Sequence, residues 1–224
     1  MKEALVEKTL KVIETISNME FVKSYFLVGG TALALQLKHR LSEDLDFMCW
    51  KQSKRDKQNI NIEKIKNELI QDFVVDKVDI LADNHIEIYI DGGVKLSFYA
   101  PDKIKPAIMP VHYLNHLFLA DEDCIAALKM ETFLRRNEFR DYYDLYCILK
   151  NKDTKMTKQI IDNALKYSEH HLKSKNLIGM LTNSERFKQN VAFARLAPKY
   201  PITAKEIELF MVERMRSIYE YENP

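Results

Sequence analysis

The chain has 224 residues and a mass of 26.4 kDa, with 46% hydrophobic and 30% charged residues. That length supports one large domain or two small ones, and the balance excludes collagen-like, disordered and coiled-coil chains. The 34 Lys and Arg nearly cancel the 33 Asp and Glu, leaving net +1, so any polyanion partner must be held by a local patch and not by a global basic field. Glycine is scarce, at five residues, which disfavours a glycine-rich β-sandwich and favours helix. Cys49, Cys124 and Cys147 lie far apart, form no CxxC and read as buried thiols of a reducing compartment. The first residues lack an apolar stretch of the signal-peptide kind. No run approaches the roughly 18 apolar residues of a membrane span. The expectation is a cytoplasmic protein with no membrane partner.

Leu5, Thr9, Val12, Ile13 and Ile16 recur at helical spacing and predict a first helix. Tyr25 to Val28 is a short apolar run that stops at Gly29-Gly30, a buried strand ending in a tight turn. Thr31 then reads as the cap of a helix from Ala32 to about Arg40. Ser42 to Phe47 predicts a second strand, residues 51–60 a polar loop, and Ile62 to Ile70 a helix. Three alternating segments follow: Phe73–Leu81, with Val74, Val78 and Ile80 on one face, His85–Asp91, and Val94–Tyr99. The Asp91-Gly92-Gly93 turn marks the last two as a hairpin. Prolines 101, 106 and 110 close this half. Beyond Asp121, which reads as a cap, helices are predicted to about Arg136, over Arg140–Lys150, Thr157–Ser168 and Thr203–Tyr219. The expected fold is α+β: a small mixed β-sheet with flanking helices over 1–110, then an all-helical region over 111–224.

Asp44 and Asp46 flank one apolar residue of a predicted strand, so period two places both carboxylates on one face. Two like charges side by side repel unless a cation lies between them. Hard oxygen ligands aimed at one point suit Mg²⁺, which takes one or two carboxylates plus substrate phosphates. Upstream, the backbone N–H groups at Gly29 and Gly30 and the Thr31 hydroxyl open a helix and are suited to phosphate. A phosphate cradle beside a metal pair is the minimum for phosphoryl or nucleotidyl transfer. Alone, the same residues fit a plain turn and two solvated strand-edge acids; the strand–turn–helix–strand context favours a site.

The stretch Gly29-Gly30-Thr31-Ala32-Leu33-Ala34-Leu35, continuing through Arg40, Ser42 and Asp44-Leu45-Asp46-Phe47, resembles the GG[S/T]…DxD signature of the DNA polymerase beta-like nucleotidyltransferase superfamily. It is most similar to the AbiEii/AbiGii toxin-type nucleotidyltransferases. A second segment resembles theirs too: Leu119-Ala120-Asp121-Glu122-Asp123-Cys124-Ile125-Ala126-Ala127-Leu128-Lys129, then Arg135-Arg136, then Arg140-Asp141-Tyr142-Tyr143-Asp144-Leu145-Tyr146. The resemblance spans residues 29–146. It implies a nucleotidyltransferase-like core and transfer of an NMP from an NTP with Mg²⁺ or Mn²⁺, to an acceptor such as RNA. It also implies the role of a toxin in a toxin–antitoxin or phage-defence pair, with a separately encoded antitoxin. Asp44, Asp46, Lys129 and Asp144 become the candidate catalytic residues, and Gly29, Gly30, Thr31 and Arg136 the nucleotide-binding ones. Lys129 and Arg136, seven apart on one helix, share a face suited to phosphate, and Asp141 and Asp144 share a face of the next. The plainer alternative is a helix-hairpin clasp of these four charges.

Family members place a third carboxylate on a later strand, in a segment like VKVDF. Here Val94-Lys95-Leu96-Ser97-Phe98 puts Ser97 where the acid is expected. Three readings stay open: Asp79 or Glu87 substitutes, two carboxylates suffice with Ser97 or water, or only nucleotide binding remains. The last defines the competing class, a non-catalytic nucleotide-binding or interaction protein on the same scaffold. On the alternating pattern Ser97 shares a face with Lys95 and Tyr99, and that face is expected to look toward Asp44 and Asp46. His112 and His116 have a spacing that zinc pairs use but lack the glutamate of an HExxH helix, so no zinc site is assigned. Lys51, Lys54, Arg55 and Lys57 form a basic loop just past the paired acids, solvated by default and a polyanion contact in its functional version.

Overall fold

The computed structural model describes residues 3–51, 53, 55, 60–102, 109–168, 170–189 and 191–223. The chain divides into two compact units, Met1–Asp121 and Glu122–Pro224. In the first, the described elements are α1 (Glu7–Ser17), β1 (Phe26–Val28), α2 (Gly29–Leu37), β2 (Leu45–Met48), α3 (Ile62–Leu69), β3 (Val75–Ala82), β4 (His85–Ile90), β5 (Val94–Tyr99), β6 (Val111–Leu114) and β7 (Leu117–Leu119), with a 3-10 turn at Glu20–Ser24. The strands make one mixed sheet in the order β3-β4-β5-β2-β1-β7-β6. β2 runs antiparallel to β1 and parallel to β5, and β1 runs parallel to β7.

Alternation sorts the central strands into two faces. Leu45 pairs with Leu96 and Phe47 with Phe98, while Ile88 and Ile86 lie opposite those two on β4. All six are buried. Phe47 and Phe98 stack at 5.2 Å, and Phe21 and Tyr25 meet Phe98 edge-on at 5.6 and 5.3 Å. Burying such rings stabilises each by about 1.5–3 kcal/mol, which fixes the register, because a one-residue slip would turn them out to water. The residues between them, Asp46, Lys95, Ser97, Glu87 and Tyr89, therefore point to the opposite, half-open face.

The expected alternation on β3 is present, but its apolar side is not covered. Val78 and Ile80 pair with Ile88 and Ile86, yet β3 is the sheet edge, and Val74 and Ile80 remain 68% and 66% exposed. The sheet also runs past the expected boundary at residue 110. The β6–β7 hairpin docks on β1 through Phe26↔Phe118 and Leu27↔Leu119, so the first unit ends at Asp121. Asp121 accepts a hydrogen bond at Oδ2 from the Met109 backbone N–H at 2.5 Å.

The second unit contains α4 (Glu122–Thr132), α5 (Phe139–Leu149), α6 (Thr154–Tyr167), α7 (Ser174–Leu181), α8 (Val191–Ala194) and α9 (Ala204–Glu222), with a 3-10 turn at Ser184–Arg186. α4 is shorter than expected, and α7 and α8 add to the expected helices. Tyr142 is stacked between Phe133 at 4.1 Å and Phe187 at 3.7 Å, which ties the start of α5 to the segments around it. α9 opens with a capping box: the Thr203 hydroxyl accepts from the Glu206 N–H and the Glu206 carboxylate accepts from the Thr203 N–H. None of the described helices is long and apolar enough to cross a membrane.

Candidate functional site

β1 passes into α2 without a linker. Gly29 makes the junction at φ +69°, a left-handed conformation that suits glycine, and is already the first residue of the helix. The preceding Val28 supplies no side-chain cap to the first turn of α2, the positive end of the helix. An added Cβ on Gly29 would lie 2.5 Å from Asp46 Oδ2, so the helix start and the carboxylate of β2 are in contact distance. One on Gly30 would lie 2.4 Å from Arg40 Nη2 and 3.2 Å from Ser42 Oγ.

Thr31 departs from its expected place. Because the helix starts at Gly29, Thr31 falls inside it on the buried face, at 0% exposure, and neither caps α2 nor faces solvent for a phosphate. Its hydroxyl donates to the backbone carbonyl of Asp44, with Ser42 Oγ 2.9 Å away. Thr31 is thus a clamp that fixes the segment entering β2. Ser42 is anchored in turn through its backbone, its N–H donating to Ala4 O at 2.9 Å and its carbonyl accepting from Val6 N–H at 3.1 Å. The buried Arg40 donates from Nη1 to Leu41 O at 2.8 Å.

Asp44 lies one residue before β2 and Asp46 within it, with Leu45 between them buried at 0%. Lys95 Nζ is 3.4 Å from Asp44 Oδ2, which places Asp44 on the same open face as Asp46. In the parallel β2–β5 ladder Asp46 stands directly opposite Ser97, so the expected strand alignment and facing hold. Ser97 Oγ lies 3.4 Å from His85 Nε2. Across β4, Ser97 faces Glu87, which accepts from the Tyr89 hydroxyl at 2.8 Å and lies 3.5 Å from Lys95 Nζ. Burial pulls the Lys95 ammonium toward neutrality, but Asp44, Asp46 and Glu87 outweigh it and raise its pKa above the ordinary lysine value. Lys95 and Glu87 therefore belong to the constellation, and neither stood out as a pair in the sequence.

Lys129, Arg136, Asp141 and Asp144 meet within the helical unit. Lys129 Nζ donates to Asp141 Oδ1 and pairs with Asp144 Oδ2, both at 2.6 Å, and Arg136 Nε reaches Asp141 Oδ2 at 2.8 Å. Both carboxylates are fully buried and Lys129 nearly so. Of the basic loop, Lys51 pairs with Asp102 at 2.8 Å, and Lys54 and Lys57 lie outside the described residues. His112 Nε2 is 2.9 Å from the Asn115 carbonyl. The three cysteines are buried thiols outside any disulfide, and burial pushes the Cys49 thiol up to about 11.

The glycine pair carries its own test. Gly29→Ala strains a left-handed position by about 1–2 kcal/mol and drives a methyl into Asp46, and Gly30→Val drives one into the buried Arg40. Both are expected to weaken nucleotide binding at least tenfold by calorimetry, an order-of-magnitude expectation for a displaced site group. Gly179→Ala, in the exposed face of α7 with nothing near its added Cβ, is expected to leave binding alone and raise stability by about 0.5–1 kcal/mol. Equal losses at all three positions would mark the pair as structural only.

One solved structure shares this architecture. A Helicobacter pylori crystal structure, a candidate nucleotidyltransferase, superposes at TM-score 0.56 with 15% identity, covering 96% of this chain and 98% of that one. The MenT4 nucleotidyltransferase toxin Rv2826c of Mycobacterium tuberculosis H37Rv, also 15% identical, gives a TM-score of 0.49, with 87% and 78% covered. An uncharacterized protein of Aquifex aeolicus (strain VF5), aq_aa25, is 25% identical over 148 residues, 65% of this chain and 68% of its own length. The profile of the nucleotidyl transferase AbiEii toxin family, of type IV toxin–antitoxin systems, matches residues 11–113 and 116–218. With nearly its whole length so matched, and with the mixed sheet that carries the paired acids, the chain belongs to the AbiEii nucleotidyl transferase toxin family.

Proposed function

We propose that this chain transfers a nucleotidyl group from an NTP to an acceptor hydroxyl, using the site at the β1–α2 junction. The observation that carries the reading is the shared face of Asp44 and Asp46 beside the start of α2. The helix N-terminus offers N–H donors to phosphate oxygens. The acceptor oxygen attacks the α-phosphorus as its proton passes to water, a new P–O bond forms, the bond to the β-phosphate oxygen breaks, and pyrophosphate leaves.

The donor set suits a hard divalent cation. Two carboxylates on one face match the one or two that Mg²⁺ takes, its remaining ligands being phosphate oxygens and water. Among the described residues no group of three His, Cys, Asp or Glu side chains is placed to hold a metal. Asp44 and Asp46 would hold Mg²⁺ or Mn²⁺, and the ion would neutralise charge on the transferring phosphate. Thr31 and Ser42 clamp the segment that enters β2 and carries both acids. Lys129, Asp144 and Arg136 keep a proposed role at phosphate or acceptor, by family resemblance.

In keeping with its family, we read the chain as the toxin of a pair with a separately encoded antitoxin, acting in the cytoplasm where NTPs and RNA are available. The decisive experiment incubates the protein with each α-labelled NTP, Mg²⁺ and total RNA. Label is expected on RNA with at least one NTP, and EDTA is expected to abolish it. The serine opposite Asp46 favours one rival, a non-catalytic nucleotide binder. Metal-strengthened NTP binding without transfer to RNA, protein or a second nucleotide would establish that rival.

A further inference from the structure

The pairing registers sort one face of the sheet into two rows. One row holds Ser97, Asp46 and Val28, each opposite the next across β5, β2 and β1. The other, two residues along the strands, holds Tyr99, Met48, Phe26 and Phe118, opposed in the same way across β5, β2, β1 and β7. Directly opposed residues point to one side of a sheet, and so do residues two apart on a strand, so the apolar row shares the face of Asp46. It is not a closed core. Tyr99, Met48 and Phe26 are half-buried and Phe118 is 38% exposed, whereas Leu27, Phe47 and Leu119, on the opposite face, are exposed by 0%, 1% and 0%. Phe118 packs against His112 at 5.1 Å and Phe26 against Trp50 at 5.8 Å, contacts that hold each ring in place.

The order along β1 is Phe26, Val28, then Gly29 at the start of α2, so the acid row lies between the helix N-terminus and the rings. The two rows are about 6.6 Å apart along the strands, and Phe26 and Phe118 lie one and two strand spacings of about 4.8 Å to the side of Asp46. We propose that Phe26 and Phe118 seat the nucleobase of the NTP. The inference rests on the nucleotidyl-transfer reading above and deepens it by placing the nucleoside end of the substrate. A nucleotide laid along β1 has its β- and γ-phosphates at the helix start, its α-phosphate at the acids, its ribose over the gap between the rows and its base on the rings. Every base has a π-face, so such a seat adds affinity for the nucleoside without a hydrogen-bond code for one base.

The test separates base from phosphate. Each NTP and, separately, inorganic triphosphate is titrated with Mg²⁺ into the full-length protein by calorimetry, with folding checked by circular dichroism. Phe118→Ala is expected to weaken NTP binding roughly five- to a hundredfold, the scale of one base–ring stack, and to leave triphosphate binding at its wild-type value. Phe118→Trp keeps a stacking ring and is expected to retain NTP affinity. Phe26→Leu, which keeps an apolar side chain at a half-buried position, is the second variant and is expected to show the same split between NTP and triphosphate.

Equal loss of NTP and triphosphate binding in Phe118→Ala and Phe26→Leu, or no loss of NTP binding in either, would overturn the proposal and leave the transferase reading standing. Triphosphate that binds wild type as tightly as every NTP would overturn it too, because the nucleoside would then add nothing. Failure of every NTP and of triphosphate to bind wild type would remove the proposal together with that reading.

Discussion

Asp46→Asn is expected to lower nucleotidyl transfer by about three orders of magnitude, the scale on which loss of a charge-stabilising group acts in phosphoryl chemistry. The amide keeps the size of the carboxylate, and the backbone of residue 46 keeps its pairing with Val28 on β1 and Ser97 on β5. The side chain lies on the half-open face, so no apolar packing is lost. The unfolding midpoint and circular dichroism of Asp46→Asn are measured beside activity, so that the loss of transfer is read from a folded protein. NTP binding supplies the second measurement. In wild type it should strengthen when Mg²⁺ or Mn²⁺ is added, and in Asp46→Asn that gain should disappear. Equal NTP affinity of wild type with and without metal would defeat the assignment of the paired acids.

The part of the fold that frames these acids was legible because its signals are local. An apolar run stopping at two glycines, a helix rich in Ala and Leu, and an alternating strand fall within about twenty residues, and each obeys one periodicity. The β4–β5 hairpin is legible for the same reason, with its Gly-Gly turn between alternating runs. The β6–β7 hairpin was not. Its strands are four and three residues long, too short for alternation to accumulate, and it is held by Phe118 and Leu119 pairing with β1, some ninety residues earlier. α7 and α8 escaped because eight and four residues barely establish a helical period.

Thr31 and Lys95 mark the same limit at the site. A threonine ahead of an apolar helix is an ordinary capping signal, and the φ of Gly29 that starts α2 two residues earlier is not written in any single residue type. Lys95 reads as a solvent-facing strand residue until the parallel β2–β5 pairing lays it beside Asp44, fifty-one positions away. The facing of Ser97 was within reach, since alternation alone sets it. What Glu87 and Lys95 do beside it depends on strand order, which sequence periodicity does not encode.

Lys129→Met is expected to destabilise the helical unit by about 3–5 kcal/mol, the cost of removing one partner from a buried ion pair. The methionine fills most of the volume but strips Asp141 and Asp144, both fully buried, of the ammonium 2.6 Å from each. Arg136 continues to hold Asp141. Lys129→Met combined with Asp144→Leu removes both charges and is expected to recover most of the loss, measured by urea unfolding. A recovered fold without transfer activity would assign Lys129 and Asp144 to the chemistry, and recovered activity would make them a structural clasp alone. The same cluster sets an acid limit. Burial raises the Asp141 pKa, but Lys129 and Arg136 outweigh it and hold the carboxyl below its ordinary value. A depressed folded-state pKa contributes stability that is fully present above the unfolded value of about 3.9 and is lost as pH falls through the folded one. Wild-type stability should therefore decline below about pH 4. Lys129→Met should flatten that decline, because the cation that depresses the Asp141 pKa is gone; an unchanged acid profile in the variant would show that Arg136 alone holds Asp141.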